Sequence, residues 1–214
     1  MSELSLYVDD HWVSPYAFSN FVALNEKKLT FDVIEVSLPR KETLRREYLE
    51  RSLTGRLPML RHGDYFLTES SAIDEYLEEA FPPPKYTRIF PEDPKERGRA
   101  RQLMAWFRSD LMPIREERGT STLFYDQPVK PLSPAAQEHT DRLLRLANAL
   151  IAPERTTLFA QWCIADADFA MMLYRLVKHG HPVDAKVKRY VEANWQRPAL
   201  RQWLDKKRKE FVPY

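Results

Sequence analysis

Two short clusters in the first third of the chain carry residue types able to handle an anion. The earlier is Val13-Ser14-Pro15-Tyr16, with His11 just before it. Proline favours the first helical position and serine the position before it, so Ser14 is expected to cap a helix opening at Pro15. A helix start leaves backbone N–H groups unpaired, and its dipole favours negative charge. A serine hydroxyl has one donor and two acceptor sites. Ser14 can therefore accept from the helix it caps and donate to an anion held there. Tyr16 and His11 are alternative donors in the same loop. The later cluster is Thr68-Glu69-Ser70-Ser71, with Glu69 eleven residues beyond Pro58. Read by itself, Ser70 is an N-cap, and Ser71 with Asp74 resembles a capping box. Leu57-Pro58 alone reads as the start of an edge strand.

Other reactive residue types are sparse. A single cysteine, Cys163, leaves no internal disulfide and no Cys-x-x-Cys pair. The five histidines show no spacing that gathers three metal ligands, and His179-Gly180-His181 reads as a loop between helices. The net charge of +2 in 214 residues gives nucleic acid no general attraction. The basic run Lys206-Lys207-Arg208-Lys209 is expected to solvate a helix end and complement its dipole. No apolar run approaches the roughly 18 residues that span a bilayer, and the N-terminus lacks a signal-peptide pattern. A soluble, cytoplasmic chain is expected.

The elements that must position these clusters alternate in type. LSLYVDD and FDVIEVSL read as strands separated by the helix from Pro15, in which Phe18, Phe21 and Val22 share a face. KETLRREYLERSL reads as a loose helix. LPMLRHG and YFLTE form a hairpin through His62-Gly63-Asp64. SSAIDEYLEEA closes the region as a helix burying Ile73, Tyr76, Leu77 and Ala80. The order β-α-β-α-β-β-α combines a parallel crossover with an antiparallel hairpin, so a mixed four-stranded sheet with helices on its faces is expected. Residues 81–94 hold five prolines and read as a linker. Beyond them the pattern is helical. PKERGRARQLMAWFRSDLMPIREER should be kinked or divided by Pro113, and Ser133-Pro134 should start a helix that runs to Leu150. DADFAMMLYRLVKHG should bury Phe169, Met172, Leu173, Leu176 and Val177 and stop at Gly180. The expected domains are 1–80, a linker 81–94, and an all-helical domain 95–214.

With these motifs in place, the chain resembles the cytosolic-type glutathione S-transferases over nearly its whole length. SPY, RARQLMAWFRSDLMPIREER and QWCIADADFA are most similar to the bacterial YfcF-type members. The resemblance implies a thioredoxin-like glutathione-binding domain followed by a helical bundle. In GRLPML it implies a cis Leu57–Pro58 bond, with the Leu57 main chain pairing with the cysteinyl part of glutathione. In TESSAI it implies that Glu69 and Ser70 hold the γ-glutamyl group. CIADADFA matches the family's cap inside the helical domain, with Cys163 where a hydroxyl is usual and Asp166 reaching back to it; a thiol is a weak partner, so that half of the cap is expected to be weakened. QRPALRQWL matches the last packed helix. Both are architecture.

The same resemblance implies the chemistry. Glutathione attacks as its thiolate, and Ser14 occupies the position whose hydroxyl stabilises that anion. A cysteine there would favour disulfide exchange, and the chain has none. Lys41 is a candidate for the glycine carboxylate, in competition with Arg40 and Arg45. Trp106, Arg108 and Arg115 are candidates for the electrophile pocket or a subunit contact. The expected activity is thiolate transfer to a small hydrophobic electrophile, with glutathione as co-substrate and no cofactor or metal. Peroxidase activity toward organic hydroperoxides and a non-catalytic glutathione-binding scaffold are the alternatives. A homodimer is implied, with no nucleic-acid or membrane partner.

Overall fold

The computed structural model describes residues 2–213. They form two compact units, the first reaching Ile89 and taking up the chain again from Asp205, the second Phe90–Leu204.

The first unit is built on a mixed four-stranded sheet. Strand β1 (Leu4–Asp9) pairs in parallel with β2 (Phe31–Val36) and antiparallel with β3 (Met59–His62), which pairs antiparallel with β4 (Tyr65–Thr68). The sheet order is β2-β1-β3-β4. As an inner strand, β1 is buried along its whole length and reads as a continuous apolar run broken only by Ser5 and Asp9. The hairpin turns at Gly63, whose φ of 57° suits a residue without a Cβ. Helices α1 (Pro15–Glu26) and α3 (Ser70–Ala80) pack on each other. A cluster of Tyr7, Val36, Tyr48 and Met59 is flanked by Ile34, Leu57 and Phe66.

Several local expectations change in this unit. The segment expected as one loose helix splits into a 3-10 turn at Glu42–Leu44 and a short α2 (Arg46–Leu49). Lys41, in the left-handed region at φ 52°, starts that turn, and Arg45 is extended between the two pieces. In α3 the buried residues are Ser70, Ile73, Asp74 and Leu77; Tyr76 is half-buried and Ala80 exposed. The inward stripe therefore runs through Asp74, which also removes it from a capping box with Ser71. The N-cap is Glu69, whose side chain makes no capping bond.

The proline-rich segment also differs from a free linker. Residues 81–89 belong to the first unit because Lys27, almost fully buried, reaches across to them. Its ammonium pairs with Glu78 at 2.7 Å and donates to the Phe81 and Thr87 carbonyls, both at 3.0 Å. A buried charge persists only when paired and hydrogen-bonded; these three acceptors satisfy it, and the two carbonyls fasten the segment. The unit boundary falls after Ile89 for this reason.

The second unit comprises α4 (Pro94–Ser109), α5 (Met112–Glu117), α6 (Thr120–Phe124), α7 (Pro134–Leu150), α8 (Ile164–Val177), α9 (Ala185–Trp195) and α10 (Pro198–Leu204). Pro113 divides α4 from α5, but the break lies upstream at Asp110 and Leu111, the latter at φ 63°. A proline inside a continuous helix would strike the carbonyl four residues back and lose its own hydrogen bond, so the chain leaves the helix first. Ser133 caps α7 by accepting from Ala136 N–H at 3.2 Å. Helix α8 is buried on nearly all sides; Val177, at its end, is half-exposed. Phe107 and Phe169 stack at 5.2 Å, and Phe169 meets Tyr190 at 5.8 Å. The cap of α8 is made by Asp166, which accepts from Cys163 N–H at 2.9 Å and Leu158 N–H at 2.7 Å. Burial, then the adjacent Asp166, pushes the Cys163 thiol well up, so it is inert as a nucleophile.

The basic run near the C-terminus does not extend a helix. It follows α10 without regular structure and lies in the first unit. No helix among the described residues is long and apolar enough to cross a membrane.

Candidate functional site

Strand register places the sequence clusters at one edge of the sheet. Tyr7 lies opposite Met59, Met59 opposite Thr68, and Asp9 opposite Val36. The ends of β1, β2 and β4 therefore share an edge with the start of β3. Ser14 follows β1, Lys41 follows β2, Leu57-Pro58 precedes β3, and Glu69-Ser70 follows β4. Helices α1 and α3 both begin there, so two helix N-termini contribute N–H groups and positive potential at the same edge.

The loop after β1 is shaped by Asp9, which is fully buried. One carboxylate oxygen accepts from Val13 N–H and the other from Ser14 N–H, both at 3.0 Å. Burial raises the Asp9 carboxyl above its ordinary value, against the pull of those two bonds. Ser14 itself is half-buried, and its Oγ accepts from Ala17 N–H at 3.2 Å. That bond fixes the oxygen, and the hydroxyl hydrogen has no acceptor among the described residues. Asp9 gave no chemical signal in the sequence, where it read only as the end of the LSLYVDD strand. Asp9→Asn should cost about 1–3 kcal/mol, because an amide can accept from only one of the two N–H groups; urea unfolding measures it.

Leu57 and Pro58 are joined by a cis peptide bond, as the resemblance implies. Their approach to β3 is held by Tyr48, whose hydroxyl donates to the Arg56 carbonyl at 2.7 Å. Glu69 is exposed, with φ 71° and ψ 111°, while Ser70 is buried. Asn20, midway along α1, ties that helix to the first turns of α3. Its amide donates to the Ser70 carbonyl at 2.8 Å and to Asp74 at 2.7 Å, and Ser19 donates to Asp74 at 3.0 Å. Neither Ser19 nor Asn20 stood out in the sequence, and Asp74 read there only as a capping-box residue, since these partners lie fifty or more positions apart.

Of the three cations competing near β2, Arg40 and Arg45 both reach Glu42, at 3.3 and 3.5 Å. Lys41 is exposed, and its ammonium has no partner among the described residues. Tyr16 is half-buried in the first turn of α1.

The helical unit carries the remaining candidates. Trp106 donates to Asp110 at 2.8 Å and lines a cleft of about 390 Å³ between α4 and α7, with Leu103, Arg142, Leu146 and Leu150. Arg108 is bound to Asp168 at 2.6 Å, and Arg115 donates to the Arg108 carbonyl at 3.0 Å. These arginines hold α4, α5 and α8 together. Among the described residues, no group of three His, Cys, Asp or Glu side chains could hold a metal.

Known proteins place this arrangement. Residues 11–85 match the glutathione S-transferase N-terminal domain, and residues 93–209 the glutathione S-transferase C-terminal domain. A glutathione transferase homolog from Burkholderia gl BGR1, with bound glutathione, is 44% identical with a TM-score of 0.77, over 94% of this chain and 95% of that one. A glutathione S-transferase from Rhodospirillum rubrum F11 is 25% identical with a TM-score of 0.75, over 99% and 96%. The probable maleylacetoacetate isomerase of Vibrio cholerae is 32% identical over 54% of this chain and 53% of its own. Glutathione S-transferase U2 of Arabidopsis thaliana is 29% identical over 48% and 44%. The chain spans about half the length of these curated relatives. With both domain matches in chain order and the longer covering more than half of the residues, this chain belongs to the glutathione S-transferase family.

Proposed function

We propose that this protein is a glutathione transferase that holds glutathione at the shared edge of the sheet and activates its thiol. The observation that carries this reading is the register that brings Ser14, Leu57, Pro58, Glu69 and Ser70 to one edge beneath two helix N-termini. The bound glutathione of the Burkholderia relative supports it.

A thiol with an unperturbed pKa of roughly 8.5 is mostly protonated at neutral pH. In this proposal the Ser14 hydroxyl donates to the sulfur and lowers the cost of the anion, a stabilising role rather than that of a base. The Leu57 backbone, beside Pro58, pairs with the cysteinyl residue. Glu69 accepts from the γ-glutamyl ammonium, and Ser70 with the α3 N-terminus binds its carboxylate. Lys41 is the candidate for the glycine carboxylate, because Glu42 already occupies Arg40 and Arg45. Tyr16, Trp106, Arg108 and Arg115 are carried as electrophile-pocket or subunit-contact residues. The cleft at Trp106 favours that residue, whereas Arg108 and Arg115 already have internal partners.

The finer reading is conjugation to a small hydrophobic electrophile by a cytoplasmic homodimer nearest to the bacterial YfcF-type members. Retention on immobilised glutathione, followed by turnover of an aryl halide and of an organic hydroperoxide, tests it. Aryl halide turnover supports the transferase; hydroperoxide turnover alone makes it a peroxidase; retention without either makes it a scaffold. Light scattering at micromolar concentration tests the dimer. Glu69→Ala should weaken glutathione binding about 10- to 100-fold, the usual scale for a hydrogen bond to a charged group. Wild-type affinity by calorimetry would remove Glu69 from the site.

A further inference from the structure

The C-terminal basic run has a role in the first unit beyond solvation. Segments without regular structure at a chain end fray unless they are tied down. Here every residue of the turn Asp10–Trp12 has a partner in residues 206–212. Lys209 lies 3.8 Å from Asp10 and 3.0 Å from Glu35. Val212 N–H donates to His11 Nε2 at 3.1 Å, and the Phe211 ring meets the imidazole edge-on at 5.4 Å. Arg208 Nε donates to the Trp12 carbonyl at 3.3 Å, and the Lys206 ammonium sits 3.9 Å from the Trp12 ring centre. The Trp12 indole in turn donates to Glu35 at 2.8 Å.

The geometry at His11 is specific. Because Nε2 accepts from a backbone N–H, the ring proton is on Nδ1, which faces Asp10 Oδ1 at 3.2 Å. His11 is only 3% exposed. Trp12 has φ 55°, a left-handed conformation that a side-chain-bearing residue holds only when its surroundings impose it. Asp9 fixes the far side of the turn through Val13 and Ser14. On the near side, Asp10 N–H donates to the Val36 carbonyl at 3.1 Å and Trp12 N–H to the Asp9 carbonyl at 3.0 Å, and the returning tail adds constraints on the His11 and Trp12 side chains and on the Trp12 carbonyl.

We infer that residues 206–212 form a strap that locks the Asp9–Ser14 loop, with His11 as its positioning residue, and so sets where the Ser14 hydroxyl points. The last clause rests on the proposed role of Ser14; the ordering of the loop does not.

The experiment uses the full chain, a chain ending at Asp205, and the variants Val212→Pro, His11→Ala and His11→Gln. Val212→Pro removes one N–H donor and leaves the loop sequence intact. His11→Gln restores an acceptor near the place of Nε2. Amide hydrogen exchange of residues 10–14, kcat and glutathione KM are the readouts. In the shortened chain, exchange should accelerate about 10-fold or more. Its kcat should fall about 10-fold, with KM within about threefold, since the loss is of orientation and not of the tripeptide's own contacts. Val212→Pro and His11→Ala should show the same pattern in smaller measure, and His11→Gln should recover most of it. Wild-type exchange in the shortened chain, or in both point variants if that chain does not fold, overturns the strap. Should Ser14→Ala cost turnover while the strap variants exchange faster with unchanged kcat, the positioning role is overturned. Should Ser14→Ala cost nothing, the serine reading falls alone, and exchange by itself decides the strap.

Discussion

Ser14→Ala should lower kcat for aryl halide conjugation about 100- to 1,000-fold, the cost of removing one preorganised donor from a developing anion. Glutathione affinity should change little, because the residues proposed to hold the tripeptide lie on the β3 approach and at the α3 N-terminus. The fold should survive with a loss of about 1 kcal/mol, since Ala17 N–H loses the serine oxygen that caps it. The sharper readout is the ultraviolet absorbance of the bound thiolate against pH. In the wild type the thiol should titrate below its free value, and in Ser14→Ala its midpoint should move toward that value. Ser14→Thr keeps the hydroxyl and the cap and should retain much of the activity. An alanine variant with wild-type turnover would assign the thiolate to backbone donors instead.

Asp166→Ala should destabilise the protein by about 3–5 kcal/mol, because it orphans several buried donors at once. The carboxylate accepts from Leu158 N–H, Cys163 N–H and the Tyr190 hydroxyl at 2.7, 2.9 and 2.8 Å. Tyr190 would keep only a 3.4 Å contact with the Asp166 carbonyl. Chemical unfolding measures the loss, and a change below about 1 kcal/mol would show that the site relaxes around the gap. The same residue gives a pH signature. Burial pushes the Asp166 carboxyl up to about 6 from its ordinary 3.8, against the pull of its hydrogen bonds. A carboxyl raised in the folded state contributes stability that is complete below its unfolded value and is lost as pH rises through its folded value. Asp166 should therefore take stability away between about pH 4 and 6. Asp166→Asn should remove that slope while lowering stability at every pH.

Much of this arrangement could be read from the chain before its coordinates. The serine caps at Ser14 and Ser133 follow from a serine before a proline at a helix start, an interaction completed within one turn. The mixed sheet follows from the order of strand and helix patterns, and the clusters proposed to hold glutathione come from motif spacing within a resemblance. Where the sequence misled, a partner lay far away. Ser71 and Asp74 have cap-like spacing, yet Asp74 turns inward to Ser19 and Asn20 on another helix. A basic run at a chain end is usually solvated, yet Lys206, Arg208 and Lys209 close on a loop nearly two hundred positions earlier. Nothing in the sequence marks Lys27, which binds the proline-rich segment read there as a linker.

By itself, then, the sequence determined what short-range physics controls: the caps, the strand and helix periods, the need for a helix break near Pro113, and the residue types proposed to meet glutathione. Tertiary structure alone decided which buried polar groups satisfy one another. Asn20 between α1 and α3, Tyr190 on Asp166 and the tail on His11 are such pairings. A buried donor or charge must find a partner wherever packing brings one, and that partner need not be near in the chain.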